Sequence, residues 1–251
     1  GQPALLATTV DHFLAAAPAA APQQPKALIL PHAGYIYSGS TAALGYALLA
    51  PWRTQIRRVV LLGPTHRVAV AGLALPASDR FATPLGEIAL DTGAMAQIAE
   101  LPQIVISDRA HAQEHALEVH LPFLQRALDH FRLVPLAVGH AEPSDVAEVI
   151  EILWGGPETL IVVSSDLSHF LPYATANHVD ADTCAHILKL DTHLRPEQAC
   201  GAYPLNGLLL AARRHGLVPQ LLHRCNSGDT AGDKQRVVGY AAFSFTEAAH
   251  A

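Results

Sequence analysis

Little in this 251-residue chain is positively charged. Sixteen Lys and Arg face 22 Asp and Glu, a formal net charge of −6, and charged residues make up only 15% of the sequence. A general nucleic-acid binder or a protein held on anionic membranes needs a basic surface, so both classes are excluded. Cysteine is equally scarce. Cys184, Cys200 and Cys225 are an odd number with no CxxC, which excludes a secreted disulfide framework and predicts a reducing, cytoplasmic setting. No apolar run approaches the roughly 18–20 residues of a membrane span. The Ala-rich start carries Asp11 and His12 but no Lys or Arg before Lys26, so it predicts neither a signal peptide nor an anchor. No GxGxxG or Walker loop offers a nucleotide site.

What the chain does have is apolar material and histidine. Half of the residues are hydrophobic and 15 are His, almost as many as Lys and Arg together. That much apolar sequence excludes disorder, and the length suits one large domain. Residues 9–17 have helical apolar spacing closed by Pro18, and residues 19–25 read as a Pro/Ala/Gln linker, so 1–25 is expected to be an N-terminal helix and linker and 26–251 a single domain. From Lys26 onward short apolar runs alternate with helical patterns. Segments 27–30, 59–62, 133–138 and 160–163 read as buried strands, and 41–49, 92–99, 115–131, 144–153, 176–190 and 205–215 as helices. A hairpin of 73–76 with 87–90 and a last strand over 236–245 complete the pattern. The alternation predicts a single-domain α/β fold, a mostly parallel central sheet flanked by helices on both faces.

Open parallel sheets bind ligands at the carboxyl ends of their strands, where loops converge. Three of these ends deliver a histidine: Leu30-Pro31-His32, Gly63-Pro64-Thr65-His66 and Ser164-Ser165-Asp166-Leu167-Ser168-His169. Any one alone reads as an ordinary core or surface histidine; together they converge if the sheet is parallel. His140 also follows a strand and is read as incidental. Neutral imidazole is the commonest metal ligand, and two histidines with an anionic ligand leave the open positions that Fe(II) oxygenases use, although zinc accepts the same donors.

Other clusters are less specific. In His115-x-x-Glu118-x-His120 the spacing is one residue out of register for either zinc-protease motif, so that reading fails. Glu114 reads as acid in the first turn of a helix, and Glu118 and His120 as supporting or proton-transfer groups. Ser164, Asp166 and His169 lack the G-x-S-x-G elbow of a serine hydrolase, and a carboxylate three residues before a strand-end histidine fits an imidazole held in one tautomer. Cys225-Asn226-Ser227-Gly228-Asp229 is a polar loop able to supply an anionic ligand. Cys184 and Cys200 lie in helical patterns and read as small buried hydrophobes.

Taken together, Pro31-His32-Ala33-Gly34-Tyr35, Leu62-Gly63-Pro64-Thr65-His66, the Glu114 to Pro122 cluster, Ser164-Ser165-Asp166-x-x-His169, Cys200-Gly201 and Asn226-Ser227-Gly228-Asp229 before Val238-Gly239-Tyr240-Ala241-Ala242 resemble the Memo family. Its bacterial and archaeal members are called AmmeMemoRadiSam system protein B. The resemblance implies a fold similar to the class III extradiol dioxygenases and a divalent metal, Fe(II) or else Cu or Zn, held by His32, His66 and Cys225, with Asp229 as the alternative to Cys225. It further implies His169, oriented by Asp166, as acid/base, with Glu118 and His120 beside it and Tyr35 and Tyr37 lining a substrate pocket. The expected activity is O2-dependent redox chemistry on a small substrate. The competing expectation is a non-catalytic module that binds a peptide or a partner, within a system containing an AMMECR-type protein and a radical SAM protein.

Overall fold

The computed structural model describes residues 2–18 and 22–248. In chain order the elements are α1 (Pro3–Ala16), β1 (Ala27–Leu30), α2 (Tyr35–Ala47), β2 (Arg58–Pro64), β3 (Leu73–Leu75), β4 (Arg80–Thr83), β5 (Gly86–Ala89), α3 (Thr92–Ile98), β6 (Ile104–Ile106), α4 (Asp108–Ala112), α5 (His115–Glu118) and α6 (Leu121–Ala127). They continue with β7 (Arg132–Val138), α7 (Pro143–Ile152), β8 (Thr159–Ser164), β9 (His169–Leu171), α8 (Tyr173–Leu188), α9 (Ala202–Arg214), β10 (Leu217–Asn226) and β11 (Val237–Glu247).

The main sheet runs β10-β11-β1-β8-β2-β7-β3-β6, with β9 paired to β11. Its centre, β1, β8, β2 and β7, is wholly parallel, with Leu28 opposite Val162 and Val60 opposite both Ile161 and Val134. These strands are apolar on both faces and almost completely buried, as helix-covered parallel strands must be. Each Leu, Ile or Val buried there contributes roughly 1.5–3 kcal/mol. Helices α1, α2 and α6 pack into one layer and α3, α7 and α9 into another, while α8 lies against β10 and β11. Because the central strands are parallel, the loops after β1, β2 and β8 emerge at one edge.

Several elements differ from the sequence reading. The expected helix over 115–131 is two short helices, because Pro122 has no N–H to continue α5 and instead opens α6 at its first turn. The hairpin is β4–β5, whereas β3 joins the main sheet antiparallel to β7. Strand β10 was not anticipated: it is an edge strand, half exposed along its length, and its mixed polarity hides it. The first helix begins earlier than residue 9, at Pro3, and Val10 enters the main core. Of the expected linker, residues 19–21 lie outside the described residues; Gln24, just beyond them, donates to the Pro157 carbonyl at 2.6 Å.

Candidate metal centre

His32 follows β1 and is 2% exposed, so each of its ring nitrogens needs an accounting. Nδ1 lies 2.6 Å from Ser164 Oγ, at the end of β8. The same hydroxyl is 2.6 Å from the Ala116 carbonyl and 2.9 Å from Nε2 of the buried His120. A carbonyl has no proton to give, so the single hydroxyl proton of Ser164 goes to Ala116. Both imidazoles must then donate to the two lone pairs of Ser164 Oγ. His32 is therefore the Nδ1–H tautomer and its Nε2 carries the lone pair, met only by the weak S–H donor of Cys200 at 3.4 Å. His120, protonated at Nε2, accepts at Nδ1 from the Tyr46 hydroxyl at 2.9 Å, which closes the network.

The same burial keeps both rings neutral. Desolvation, reinforced by His66 and His115 nearby, holds His32 well below its ordinary pKa. Burial brings His120 down to about 3.

His66, on the loop after β2, is fixed from behind. Its Nδ1 donates to Glu114 Oε1 at 2.9 Å, and its backbone N–H donates to Glu114 Oε2 at 2.5 Å. Glu114 also caps α5 by accepting from the Ala116 N–H at 3.0 Å. Burial alone would raise this carboxyl, but the donors from His66 and Ala116 outweigh it and hold the pKa near about 2. A carboxylate behind an imidazole sets the tautomer and makes the outward nitrogen a better ligand. The cap places His115 at the first position of α5, where its ring stacks on that of His66 at 5.1 Å. Gly63 permits the approach: a Cβ there would lie 2.8 Å from the Leu117 side chain of α5.

The result is a group of three histidines, His32, His66 and His115, whose ligand atoms all lie within 4.8 Å of one another. Cys200, just before α9, adds a fourth donor, of a second type, with Sγ 3.4 Å from His32 Nε2. Burial, and then the charge of Asp166, raises this thiol to about 12, so without a cation it stays protonated; a bound cation would reverse that preference. Gly201 lets the start of α9 come this close, since a Cβ there would lie 2.7 Å from the Ser164 carbonyl oxygen. Imidazole nitrogens around one ion at about 2.0–2.1 Å lie roughly 3.3 Å apart in tetrahedral geometry. The histidine group, with its ligand atoms within 4.8 Å of one another, is of that order of spacing, and the lone pair on Nε2 of a buried, neutral His32 is the donor such an ion requires.

The other sequence-derived candidates are placed as follows. Asp166 is buried and accepts the His32 backbone N–H at 2.8 Å, with Oδ2 3.9 Å from His32 Nε2. Burial pushes its pKa up to about 6. No hydrogen bond joins it to His169, which is instead held by the Leu167 carbonyl, 2.9 Å from Nδ1. That bond makes His169 the Nδ1–H tautomer and leaves its Nε2 free. Phe170, next along, takes a left-handed backbone with φ 60, rare for a bulky residue. Glu118 is exposed on α5. Tyr35 donates to the Val119 carbonyl at 2.8 Å and packs on Phe123, while Tyr37 lies beside Gly34.

Cys225 and Asp229 are not brought into the histidine group. Cys225 ends β10 with its thiol 3.3 Å from Thr41 Oγ1 on α2. Asp229 accepts from the Tyr173 hydroxyl at 2.5 Å, which ties the loop to α8, and from the Asn226 N–H at 3.0 Å, which closes its own turn. The third histidine, His115, and the nearby thiol, Cys200, take the place that the sequence reading gave to this loop. Ser164, set aside in the sequence as a hydrolase nucleophile, and Glu114, read there as acid in the first turn of a helix, are the supports of His32 and His66.

Fold and site together define a class: an α/β protein with a histidine group at the carboxyl ends of its central parallel strands. The Memo-like protein family matches over residues 2–244. A MEMO1 family protein of Sulfolobus acidocaldarius is 34% identical over 232 residues, covering 86% of this chain and 81% of that one. One from Methanosarcina barkeri is 35% identical over 235 residues, covering 85% and 84%. One from Aquifex aeolicus is 34% identical over 235 residues, covering 88% and 86%. An uncharacterized protein from Escherichia coli K12, solved by crystallography, shares the fold with a TM-score of 0.55 at 14% identity, covering 87% of this chain and 98% of that one. The chain belongs to the Memo family.

Proposed function

We propose that the chain is a metal-dependent redox enzyme acting on a small substrate, with a divalent transition metal, iron first and copper second, held by His32, His66 and His115 beside Cys200. The observation that supports this reading is the lone pair on Nε2 of His32, buried, neutral and fixed in tautomer, facing two more imidazoles and met only by a weak thiol donor. Several neutral nitrogen donors with one soft sulfur suit iron or copper, and such a metal would supply O2 activation or one-electron chemistry. The protein's own part is positional. Ser164 and Glu114 orient the ligands, and His169 Nε2, free of partners in its own hydrogen-bond network, takes up or returns a substrate proton. Asp166, buried beside Nε2 of His32, contributes negative charge that favours a cation. A site with a free thiol fits a reducing compartment, so we place it in the cytoplasm. Among the described residues no helix is long and apolar enough to cross a membrane.

The test is elemental analysis of protein purified without chelators, comparing wild type with His32→Ala/His66→Ala, followed by anaerobic Fe(II) reconstitution and an O2-consumption screen. Near-stoichiometric metal that disappears in the double variant, with O2 uptake by the reconstituted wild type, is expected. Absence of metal from both, even after reconstitution, would sink the reading and favour a non-catalytic binding module.

A further inference from the structure

Two clefts flank the histidine group, and they differ in charge. One lies between the β4–β5 hairpin and α4–α6 and is lined by three carboxylates, Asp108, Glu114 and Glu118. The other, about 380 Å³, opens on His66 itself and has no carboxylate in its lining; its polar side chains are Thr65, His66, Arg67, His140 and Tyr203. In a chain of net charge −6, a cleft beside the candidate ligands that holds an arginine and no acid is a local reversal of the surface field.

The backbone builds this second cleft deliberately. The chain after His66 folds back on the end of β7, with the His140 N–H donating to the Val70 carbonyl at 2.9 Å and the Gly72 N–H to the His140 carbonyl at 2.8 Å. Gly139 is required for that approach, since a Cβ there would sit 2.0 Å from the Val70 carbonyl oxygen. On the far wall Tyr203 belongs to the first turn of α9, three residues after Cys200, and His66 is the member of the histidine group that lines the cleft. The Tyr203 and His140 rings lie 5.2 Å apart, tilted at 58°, and form an aromatic wall. Among the described residues the exposed Arg67 has no ion-pair or side-chain hydrogen-bond partner, a state it shares with Arg57, Arg109, Arg132 and Arg195, but of these it alone lines the cleft beside His66.

We propose that this cleft is the substrate's anion subsite: the small molecule that reacts at the histidine group carries an oxyanion, a carboxylate or a phosphate, which Arg67 binds while its planar body lies against Tyr203 and His140. The guanidinium fork matches either oxyanion with two parallel hydrogen bonds. The volume is that of a small-ligand site and suits a single-ring acid. The proposal rests on the reading of His32, His66 and His115 as the reactive centre, and its test separates the two.

The probes are benzoate, phenyl phosphate and the neutral benzamide, titrated by calorimetry and ligand-observed NMR into zinc-loaded and metal-free protein, as wild type, Arg67→Gln and Arg67→Lys. Metal content is measured on every sample. Benzoate or phenyl phosphate is expected to bind wild type, whichever is tighter naming the oxyanion; benzamide is expected to bind at least about tenfold more weakly. Arg67→Gln should lose about tenfold or more, the worth of a charged hydrogen-bond pair, with metal stoichiometry unchanged, and Arg67→Lys should recover part of it. Equal affinity in wild type and Arg67→Gln overturns the proposal, as does benzamide binding as well as benzoate. Oxyanion binding that requires the metal and ignores Arg67 also overturns it, because the anion then sits on the ion. If metal-free wild type binds benzoate through Arg67 while no metal ever loads, the subsite stands and the metal reading falls.

Discussion

Strand β1 has a buried basic side chain at each end, and the two are treated in opposite ways. Lys26, at the amino end, gives all three ammonium protons to carbonyls: Trp154 at 2.5 Å, Gly156 at 3.0 Å and Thr159 at 3.1 Å. Its charge also lies 5.1 Å from the centre of the Trp154 ring. His32, at the carboxyl end, commits one nitrogen to Ser164 and leaves the other to a weak thiol donor that a cation can displace. A buried polar group with every valence filled is a structural knot. One left open among other donors is where a ligand goes.

The sharpest way to break this contrast is to remove the knot. Lys26→Met keeps the apolar stem and removes the ammonium donor from three carbonyls, the buried one of Thr159 and the part-buried ones of Trp154 and Gly156, at about 1–3 kcal/mol for an unsatisfied buried group and more where several share it. We expect a loss of about 3 kcal/mol in chemical denaturation with metal stoichiometry unchanged. Loss of metal binding in a still-folded Lys26→Met protein would mean that the two ends of β1 are coupled, and the division into knot and site would fail.

The second prediction uses acid. In the metal-free protein His32 and His120 are neutral when folded and take up protons near pH 6.5 when unfolded, because burial lowers both folded values, His120 to about 3. The unfolded chain therefore binds more protons below pH 6.5, and their contribution to stability, full above that pH, is lost as pH falls toward the folded value. Asp166, raised by burial to about 6, acts in the opposite sense between that value and the ordinary carboxylate range. The clean readout is thus a difference. Between pH 6 and 4 the stability of wild type should fall more steeply than that of His120→Phe, by about 1.4 kcal/mol per pH unit, the value of one proton. Parallel slopes would show that His120 is already protonated in the folded state, and the tautomer assignment built on Ser164 would collapse.

The same contrast explains what the sequence made legible. Parallel buried strands announce themselves by short apolar runs, and a residue just past such a run must stand at the carboxyl edge. His32 and His66 are visible for that reason, and so is the fold class. His115 is not, because its position depends on a helix that stops after four residues and on the cap made by Glu114, a long-range contact between the loop after β2 and α5. Cys200 is hidden for a related reason: it lies 168 positions from His32, and a lone cysteine in a helical pattern carries no periodic signal. Ser164 and Asp166 are visible as polar residues at a strand end, but which of them touches which imidazole is a matter of packing. The loop at Cys225 looks chemical in sequence because it is polar, yet its polar groups are consumed by its own turn.

The smallest effect tests how far from the open nitrogen its control extends. Tyr46 is fully buried and donates to His120 Nδ1. Tyr46→Phe removes that donor and leaves a buried acceptor, a cost of about 1 kcal/mol in stability. His120 keeps its proton on Nε2, because moving it to Nδ1 would bury an unpaired N–H against the new phenyl ring and take the Ser164 hydroxyl proton away from Ala116. The tautomer of His32 should survive, and metal affinity should change by less than the roughly 10–100-fold lost with a direct supporting partner. Ring nitrogen NMR would show both His120 and His32 keeping their tautomers. Should His32 change, the open nitrogen is set by the whole buried chain from Tyr46 inward, and the boundary between knot and site would have to be drawn at Tyr46 instead of at Ser164.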